Sequence, residues 1–284
     1  ADQFKLTLGG RWFDYERKIL IDQSGALGTV SFDGESTEKD FKGKVNLEYT
    51  PSDDALIYTQ WAQGFRLGQP VVVPPLGVCD TDNDGILDGS SPPTPINTSG
   101  ALDSDNLDSI EVGGKFSFLD NQLITNIAIY SIDWKGIPIN VAGSCGFGTI
   151  LNGGEARSQG LEVEATYQVS EKLRLNFGLG YNDAELSKDA PGLGSKGDRL
   201  PYSQRISGNL SIDYNFYLNG FESFIHANYA YVGDFHTDLA EESIEIGDYS
   251  KLSLRLGLSI NEHWDVELYG TNLTNSDDLS GFEP

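Results

Sequence analysis

The sequence has 284 residues, and its 43 acidic against 19 basic side chains give a formal net charge of −24. A field of that sign repels nucleic-acid phosphates, so nucleic acid is set aside as a partner. Mean hydropathy is −0.31, and the longest apolar run, near residues 71–78, is interrupted by Pro74 and Pro75. No segment therefore qualifies as a transmembrane helix.

Hydropathy does not detect membrane-spanning strands, because their alternating apolar and polar residues average to a polar hydropathy. From residue 252 to 260, leucine or isoleucine at every second position opposes serine, arginine or glycine. A short polar connection then leads into a second alternating segment from residue 264. This pattern predicts a long hairpin with one apolar and one polar face.

About eleven strands are predicted from this alternation and from the turn residues between the segments. In chain order they are residues 4–21, 42–50, 55–67, 106–118, 123–137, 161–168, 173–182, 206–216, 221–235, 252–260 and 264–274. Tight turns alternate with long loops, and the long loops are residues 22–39, 68–105, 138–156, 187–201 and 236–248. This rhythm is typical of outer-membrane barrels, with short periplasmic turns and long extracellular loops.

The expected fold is therefore an all-β, antiparallel transmembrane β-barrel whose apolar faces meet lipid. Polar faces would be costly against lipid, so they are expected to line a lumen. The charged residues expected to face that lumen are Glu111, Lys115, Glu162, Glu164, Arg174 and Arg255.

The sharpest chemical motif is the acidic stretch Asp80–Asp88, which reads DTDNDGILD. Carboxylates at alternate positions around a glycine can converge on one hard cation, as in an EF-hand loop, so a calcium site is expected. The expected ligands are Asp80, Asp82, Asp84, Ile86 through its carbonyl, and Asp88. Ser91 stands where an EF-hand has its bidentate glutamate. An acidic, solvated loop tip is the alternative.

The two cysteines, Cys79 and Cys145, fall in consecutive long loops on the same side of the predicted barrel. A disulfide between them is expected in an oxidising compartment. It would stabilise the folded state by roughly 4 kcal/mol in the chain-entropy model. Two free thiols are the alternative.

Aromatic and cationic residues stand where strands lead into the two largest loops. Trp61, Phe65 and Arg66 precede the first of these loops, and Trp134 precedes the second. They are expected either to form the outer aromatic girdle or to contact a ligand at the barrel mouth. The girdle is the favoured interpretation.

The sequence does not predict an enzyme. The charged residues of the polar face have no accompanying nucleophile or oriented third group. No phosphate-binding glycine loop, zinc spacing or serine elbow is found. His226 lies within a predicted strand, where a local hydrogen bond is expected rather than metal binding.

Several stretches also resemble a known family. They are residues 58–68 (YTQWAQGFRLG), 107–115 (LDSIEVGGK), 152–164 (NGGEARSQGLEVE), 197–201 (GDRLP) and 268–275 (LYGTNLTN). In this order they resemble the carboxy-terminal barrel half of TonB-dependent outer-membrane receptors, and the resemblance spans most of the chain.

The resemblance implies a 22-stranded barrel closed by a plug, of the size known to be plugged. Residues 1–284 would then be a partial barrel, its second half, with the plug domain and the final strand not present before Pro284. The implied location is the bacterial outer membrane, with lipid as a partner. The TonB complex would be contacted through a missing amino-terminal region.

The implied function is active uptake of a scarce nutrient: a ferric siderophore, cobalamin or a saccharide. No cofactor is implied apart from the calcium considered above. A passive porin would share the alternation and lack a plug. A small barrel enzyme, such as an outer-membrane phospholipase, would need a serine and histidine pair that this sequence does not assemble. A calcium-binding surface or adhesive barrel protein would use the Asp80–Asp88 loop for contact.

Overall fold

The computed structural model describes residues 3–25, 28–91, 93–190, 193–237, 239 and 244–276. In these segments no helix is long and apolar enough to cross a membrane. The expected absence of a final strand before Pro284 concerns residues 277–284, which lie outside the described residues.

Strands account for most of the described chain. They are β1 (Phe4–Gly25), β2 (Gly28–Ser52), β3 (Ala55–Arg66), β4 (Gln69–Pro70), β5 (Ala101–Leu102), β6 (Asp105–Phe118), β7 (Leu123–Ala142), β8 (Gly148–Ser170), β9 (Leu173–Leu186), β10 (Ile206–Leu218), β11 (Phe221–Val232), β12 (Phe235–His236), β13 (Glu245–Ile246), β14 (Tyr249–Asn261) and β15 (Trp264–Gly270). A short helix, α1, spans Leu76–Cys79 in the loop between β4 and β5.

Eleven strands form one sheet in the order β1-β2-β3-β6-β7-β8-β9-β10-β11-β14-β15. Every neighbouring pair in it is antiparallel. The predicted all-β antiparallel architecture of about eleven strands is confirmed. The remaining short strands pair with each other in the loops, β4 with β5 and β12 with β13.

The tight turns after β2, β6, β8, β10 and β14 lie at one end of the sheet, here called the short-turn end. The long connections after β3, β9 and β11 lie at the other, the long-loop end, together with the shorter connections after β1 and β7. Asn219 and Gly220 illustrate the tight turns, with φ angles of 52° and 90°. They join Leu218 to its register partner Phe221. This is the two-residue hairpin that an Asn-Gly pair favours.

Two of the predicted loops are wrong. Residues 22–25 and 28–39 continue β1 and β2, and residues 138–142 and 148–156 continue β7 and β8. These strands have 22, 25, 20 and 23 residues. About 9 to 11 residues suffice to cross a bilayer obliquely, so all four strands project beyond it at the long-loop end.

The projecting strands differ from lipid-facing ones for a physical reason. Beyond a bilayer both faces of a hairpin meet water or other loops, so strict alternation is not required. In β7 the register also shifts around Ile137 and Pro138, next to Gly136, whose φ is 73°. Proline and glycine normally mark strand ends, but here they mark an irregularity inside a strand.

One face of the sheet is open and apolar. Val112 in β6 is 51% exposed and Leu268 in β15 is 69% exposed. A continuous apolar surface of this kind on a soluble protein would need a cover. In a membrane barrel the cover is lipid, and the opposite, polar face lines the interior.

Candidate functional site

The longest loop, residues 67–104, is packed onto the projecting ends of the sheet by a small apolar core. The buried members of this core are Cys79, Leu87, Ile96, Ile137, Ile139, Val141, Ala156, Leu186 and Ala190. They come from the loop itself, from β7 and β8, and from the end of β9 and the connection after it. Full burial of an aliphatic side chain contributes about 1.5–3 kcal/mol. The loop is therefore held in a defined shape.

A disulfide reinforces this attachment. Cys79, at the end of α1, is bonded to Cys145, in the connection between β7 and β8, with a Cα–Cα distance of 5.3 Å. Cys79 is fully buried. The bond thus ties the longest loop to the tip of the next hairpin.

The aspartate loop, residues Asp80–Asp88, begins directly after Cys79. Carboxylate oxygens of Asp80, Asp82 and Asp84 all lie within 4.8 Å of one another. Asn83 and Gly85 have φ angles of 59° and 80°. These two left-handed residues turn the chain back on itself, so three side chains from one short segment converge.

Asp88, another expected calcium ligand, is not part of this convergence. Asp88 Oδ2 accepts hydrogen bonds from the Thr81 backbone N–H at 3.0 Å and from the Thr81 hydroxyl at 2.8 Å. These bonds hold the pKa of Asp88 below its ordinary value. Ile86 pairs with Pro95 in an isolated bridge, and its carbonyl remains a predicted calcium ligand. Asp88 therefore closes the loop, and the group that could hold a metal consists of Asp80, Asp82 and Asp84.

A second polar assembly, the mouth cluster, consists of Arg66, Asp105 and Trp134. Arg66 ends β3 opposite Asp105 at the start of β6. Its backbone N–H donates to Asp105 Oδ1 at 3.0 Å and its Nε donates to Asp105 Oδ2 at 2.7 Å. Trp134 Nε1 donates to the same Oδ2 at 2.8 Å. The guanidinium carbon lies 4.8 Å from the Trp134 ring centroid, within cation–π range.

The mouth cluster leaves a guanidinium exposed beside a cleft. The Arg66 side chain is 59% exposed, whereas the Asp105 side chain is 1% exposed. A cleft of about 190 Å³ lies beside them, bordered also by Gly68 and Pro138. A buried carboxylate thus orients a guanidinium whose remaining N–H groups can reach anionic or carbonyl oxygens.

The other two aromatic candidates lie elsewhere. Trp61 shares its register position with Val45 and Ile110, two exposed residues of the apolar face. Trp61 therefore lies on the apolar face of the sheet, and its role in an aromatic girdle stays a prediction. Phe65 stacks on Phe13 with ring centroids 4.2 Å apart.

Phe65 is further surrounded by cations. The Arg11 guanidinium carbon and Lys42 Nζ lie 5.5 and 5.8 Å from its ring centroid. Lys42 also contacts Asn106 and Asp40. Aromatic and cationic groups from β1, β2 and β3 therefore meet near the start of the longest loop.

Sequence reasoning missed several contacts that hold the loops. The Tyr15 hydroxyl donates to Glu38 Oε2 at 2.8 Å, and the Ser104 hydroxyl donates to the same oxygen at 2.6 Å. These bonds link the β1–β2 hairpin to the longest loop. The only indication in the sequence is that the first two predicted strands are consecutive. The loop predicted over residues 22–39 conceals how far these strands pair.

Another missed contact joins the last two long connections. Arg199 Nη2 donates to Asp234 Oδ2 at 2.7 Å, and Arg199 Nη1 donates to the Asp234 carbonyl at 3.0 Å. The hydrogen bond from Arg199 keeps the pKa of Asp234 below its ordinary value.

The six charged residues expected on the lumen wall share the polar face. The strand pairing from β6 to β14 puts all six side chains on the same side of the sheet. The six are Glu111, Lys115, Glu162, Glu164, Arg174 and Arg255. Tyr58 donates to Glu111 Oε1 at 2.7 Å, and a cleft of about 200 Å³ lies between Tyr58 and Glu164. On the same face His226 Nδ1 lies 2.6 Å from Asp213 Oδ1, which confirms the local hydrogen bond expected for that histidine.

Comparison with known proteins connects this arrangement to a family. A family model described as TonB dependent receptor-like, beta-barrel, matches residues 1–273. The metal-pseudopaline receptor CntO of Pseudomonas aeruginosa is 28% identical over 188 residues, covering 62% of this chain and 26% of that protein. The probable TonB-dependent siderophore receptor PiuA of Acinetobacter baumannii is 23% identical over 283 residues, covering 95% of this chain and 34% of that protein.

Solved structures show the same fold. The ferric yersiniabactin uptake receptor FyuA from Yersinia pestis superimposes with a TM-score of 0.78 at 18% identity, over 97% of this chain and 39% of that one. The present chain spans about a quarter to a third of the length of the curated relatives named above. The family consists of transport receptors, which interact with TonB and bind small-molecule ligands such as siderophores. The sheet, the long-loop end and the match over residues 1–273 together place this chain in the TonB-dependent receptor β-barrel family, whose members lie in the outer membrane.

Proposed function

We propose that this chain is part of an outer-membrane receptor that takes up a scarce nutrient in a TonB-dependent manner, with a chelated metal such as a ferric siderophore as cargo. The observation that carries the proposal is the family match over residues 1–273. Relatives whose names include metal-pseudopaline and siderophore receptors support the cargo class. Cobalamin and saccharides are the competing cargoes.

The mouth cluster supports an anionic or oxygen-rich chelate. Arg66 offers a planar set of N–H donors that suits carboxylate or catecholate oxygens. Trp134 offers a ring face beside the same guanidinium. Because Asp105 fixes the orientation of both, a ligand entering the adjacent cleft would find these donors already positioned.

The role proposed for the chain is binding and transport rather than catalysis. We further propose that residues 1–284 act as a partial barrel within a longer receptor that also has a plug. The curated relatives support this organisation, because the chain aligns to only 26% and 34% of two of them. The polar face, with Glu111 and Glu162, would then contact the plug or the passing ligand.

The test is metal uptake by cells. A strain that lacks the gene should grow poorly under iron limitation and should fail to accumulate radioactive iron from its cognate siderophore. The intact gene should restore uptake, and uptake should disappear when TonB is also deleted. Uptake that persists without TonB would instead indicate passive diffusion and would refute the proposal.

Two variants test whether the mouth cluster contributes to ligand binding. Arg66→Ala should weaken ligand binding about tenfold or more, as expected when a hydrogen bond to a charged group worth about 1.5–3 kcal/mol is lost. Lys172→Ala, which removes a cation at the short-turn end, should bind like the parent protein. Equal binding by both variants would mean that the mouth cluster does not contact the ligand.

A further inference from the structure

We propose that the aspartate loop is a calcium site, with Asp80, Asp82 and Asp84 as its carboxylate ligands. The three side chains converge, with their nearest oxygens within 4.8 Å of one another. Three carboxylates at such distances repel each other unless a cation lies among them. This site is separate from the mouth cluster, and the inference does not depend on which nutrient is transported.

Asp80 distinguishes this loop from an ordinary acidic tip. The residue is 8% exposed. Its Oδ2 accepts a hydrogen bond from the Gly85 backbone N–H at 3.2 Å. Its Oδ1 is buried and has no hydrogen-bond partner among the described residues. A buried carboxylate oxygen without a donor is unfavourable, and a bound cation would supply the missing partner.

The loop is anchored at both ends, so the site does not have to be assembled when the ion arrives. Cys79 precedes the loop and is fixed by the disulfide. Leu87, near its end, is 1% exposed and belongs to the apolar core. The Asp88 backbone N–H donates to the Cys79 carbonyl at 2.8 Å, which closes the loop at its base.

Hydrogen bonds inside the loop leave oxygens available. The Asp84 backbone N–H donates to Asp82 Oδ1 at 3.3 Å, and the Ile86 backbone N–H donates to Asp84 Oδ1 at 2.7 Å. Each of these carboxylates also has a second oxygen, Oδ2. Asp82 and Asp84 are exposed, so water can complete the coordination shell.

The donor set favours calcium over other metals. All three members are carboxylates, which suit hard cations, whereas zinc and copper prefer imidazole or thiolate ligands. Magnesium requires near-ideal octahedral geometry, while calcium accepts six to eight oxygens in flexible arrangements. A dissociation constant of roughly 10⁻⁴ to 10⁻³ M is expected, as for extracellular calcium modules.

Calorimetric titration of the purified protein in detergent with calcium chloride tests the proposal. We expect heat that saturates near one ion per chain. The double variant with Asp82→Asn and Asp84→Asn changes two exposed side chains and should bind at least tenfold more weakly. Asp120→Asn makes the same change in an exposed turn at the short-turn end and should leave the titration unchanged. No heat at millimolar calcium, or equal heat from the double variant, would overturn the proposal.

Thermal unfolding gives an independent measurement. Calcium should raise the unfolding temperature of the parent protein and leave that of Asp80→Asn unchanged, because Asp80 is the buried ligand. Without calcium, Asp80→Asn should be at least as stable as the parent, since it removes an uncompensated buried charge. A variant that is less stable without calcium yet keeps the full calcium-induced shift would show that Asp80 has a purely structural role.

Discussion

Trp134 Nε1 donates a hydrogen bond of 2.8 Å to Asp105 Oδ2, and the Asp105 side chain is 1% exposed. The same oxygen also accepts from Arg66. A single buried carboxylate therefore organises an indole and a guanidinium that come from two other strands. The Asp105 carboxylate therefore sets the relative position of these two side chains.

Asp105→Ala should destabilise the protein by about 1–3 kcal/mol, because it leaves the half-buried Trp134 indole N–H without its acceptor and Arg66 without its partner. The estimate stays below that for a fully buried ion pair because Arg66 is largely exposed. Chemical denaturation in detergent measures the change. Asp103→Ala, two residues away and exposed, serves as control and should have little effect. Equal losses from both variants would mean that the carboxylate at Asp105 is not the organising group.

Reduction of the disulfide between Cys79 and Cys145 should loosen the longest loop. The chain-entropy model assigns roughly 4 kcal/mol to a bond that closes a loop of this size, and the residues are 66 apart in sequence. Protease cleavage within residues 80–95 should become faster after reduction. Calcium affinity should fall at the same time, because Asp80 directly follows the anchored cysteine.

A thiol-labelling experiment sets the condition for that prediction. Denatured protein that has not been reduced should resist labelling at both cysteines. Labelling of both would show that the bond is absent in the isolated protein. Replacing both cysteines with alanine should reproduce the effect of reduction on proteolysis.

The sequence predicted the membrane-spanning part of the fold well, because the physics there is simple. A strand between lipid and lumen must alternate, and the β14–β15 hairpin and the β6 strand both do so. The tight turn at Asn219 and Gly220 also follows from local chemistry, since both residues tolerate positive φ. Such features depend on neighbours in sequence, so they are readable without a structure.

The projecting strands and the loop core depend on partners that are distant in sequence. Ile137, Ile139 and Val141 alternate, but Gly136 and Pro138 interrupt the pattern at the point where the register shifts. Likewise, the sequence indicates Arg66 as a candidate but places its partner Asp105 at the end of a predicted loop. Only the pairing of β3 with β6 brings these two residues together.

The aspartate loop shows how far motif reasoning reaches. The spacing of Asp80, Asp82 and Asp84 around Gly85 correctly indicated that the three carboxylates converge. The spacing did not indicate that the Asp88 carboxylate would accept hydrogen bonds from Thr81. A side chain's competing hydrogen-bond partner cannot be read from spacing alone.

Acid should loosen the contact between the last two long connections. Because Arg199 keeps the pKa of Asp234 below its ordinary value of 3.8, the folded state binds this proton less readily than the unfolded state. The stabilisation is therefore complete above the ordinary pKa and is lost as pH falls through the lower folded value. Protease access to residues 233–237 should stay constant from pH 7 to about 5 and rise only below about pH 4.

Asp234→Asn provides the comparison for the acid experiment. Its loop should be equally accessible at neutral and acid pH, because the charge that Arg199 stabilises is already absent. Asp53→Asn, at the short-turn end, should keep the pH response of the parent. A response that survives in Asp234→Asn would assign the acid sensitivity to another group.

Leu87→Ala tests how much the apolar core beneath the longest loop contributes to the stability of the protein. Leu87 is 1% exposed, and its side chain lies so close to Gly143, in the connection between β7 and β8, that a Cβ added to this glycine would come within 2.8 Å of it. Truncating the Leu87 side chain should lower the free energy of unfolding by about 2–5 kcal/mol, the range for a buried leucine. Val112→Ala, on the lipid-facing surface, should cost less, because detergent or lipid can fill the space. Chemical denaturation of both variants in the same detergent makes the comparison, and a larger loss for Val112→Ala would mean that the loop core contributes little to stability.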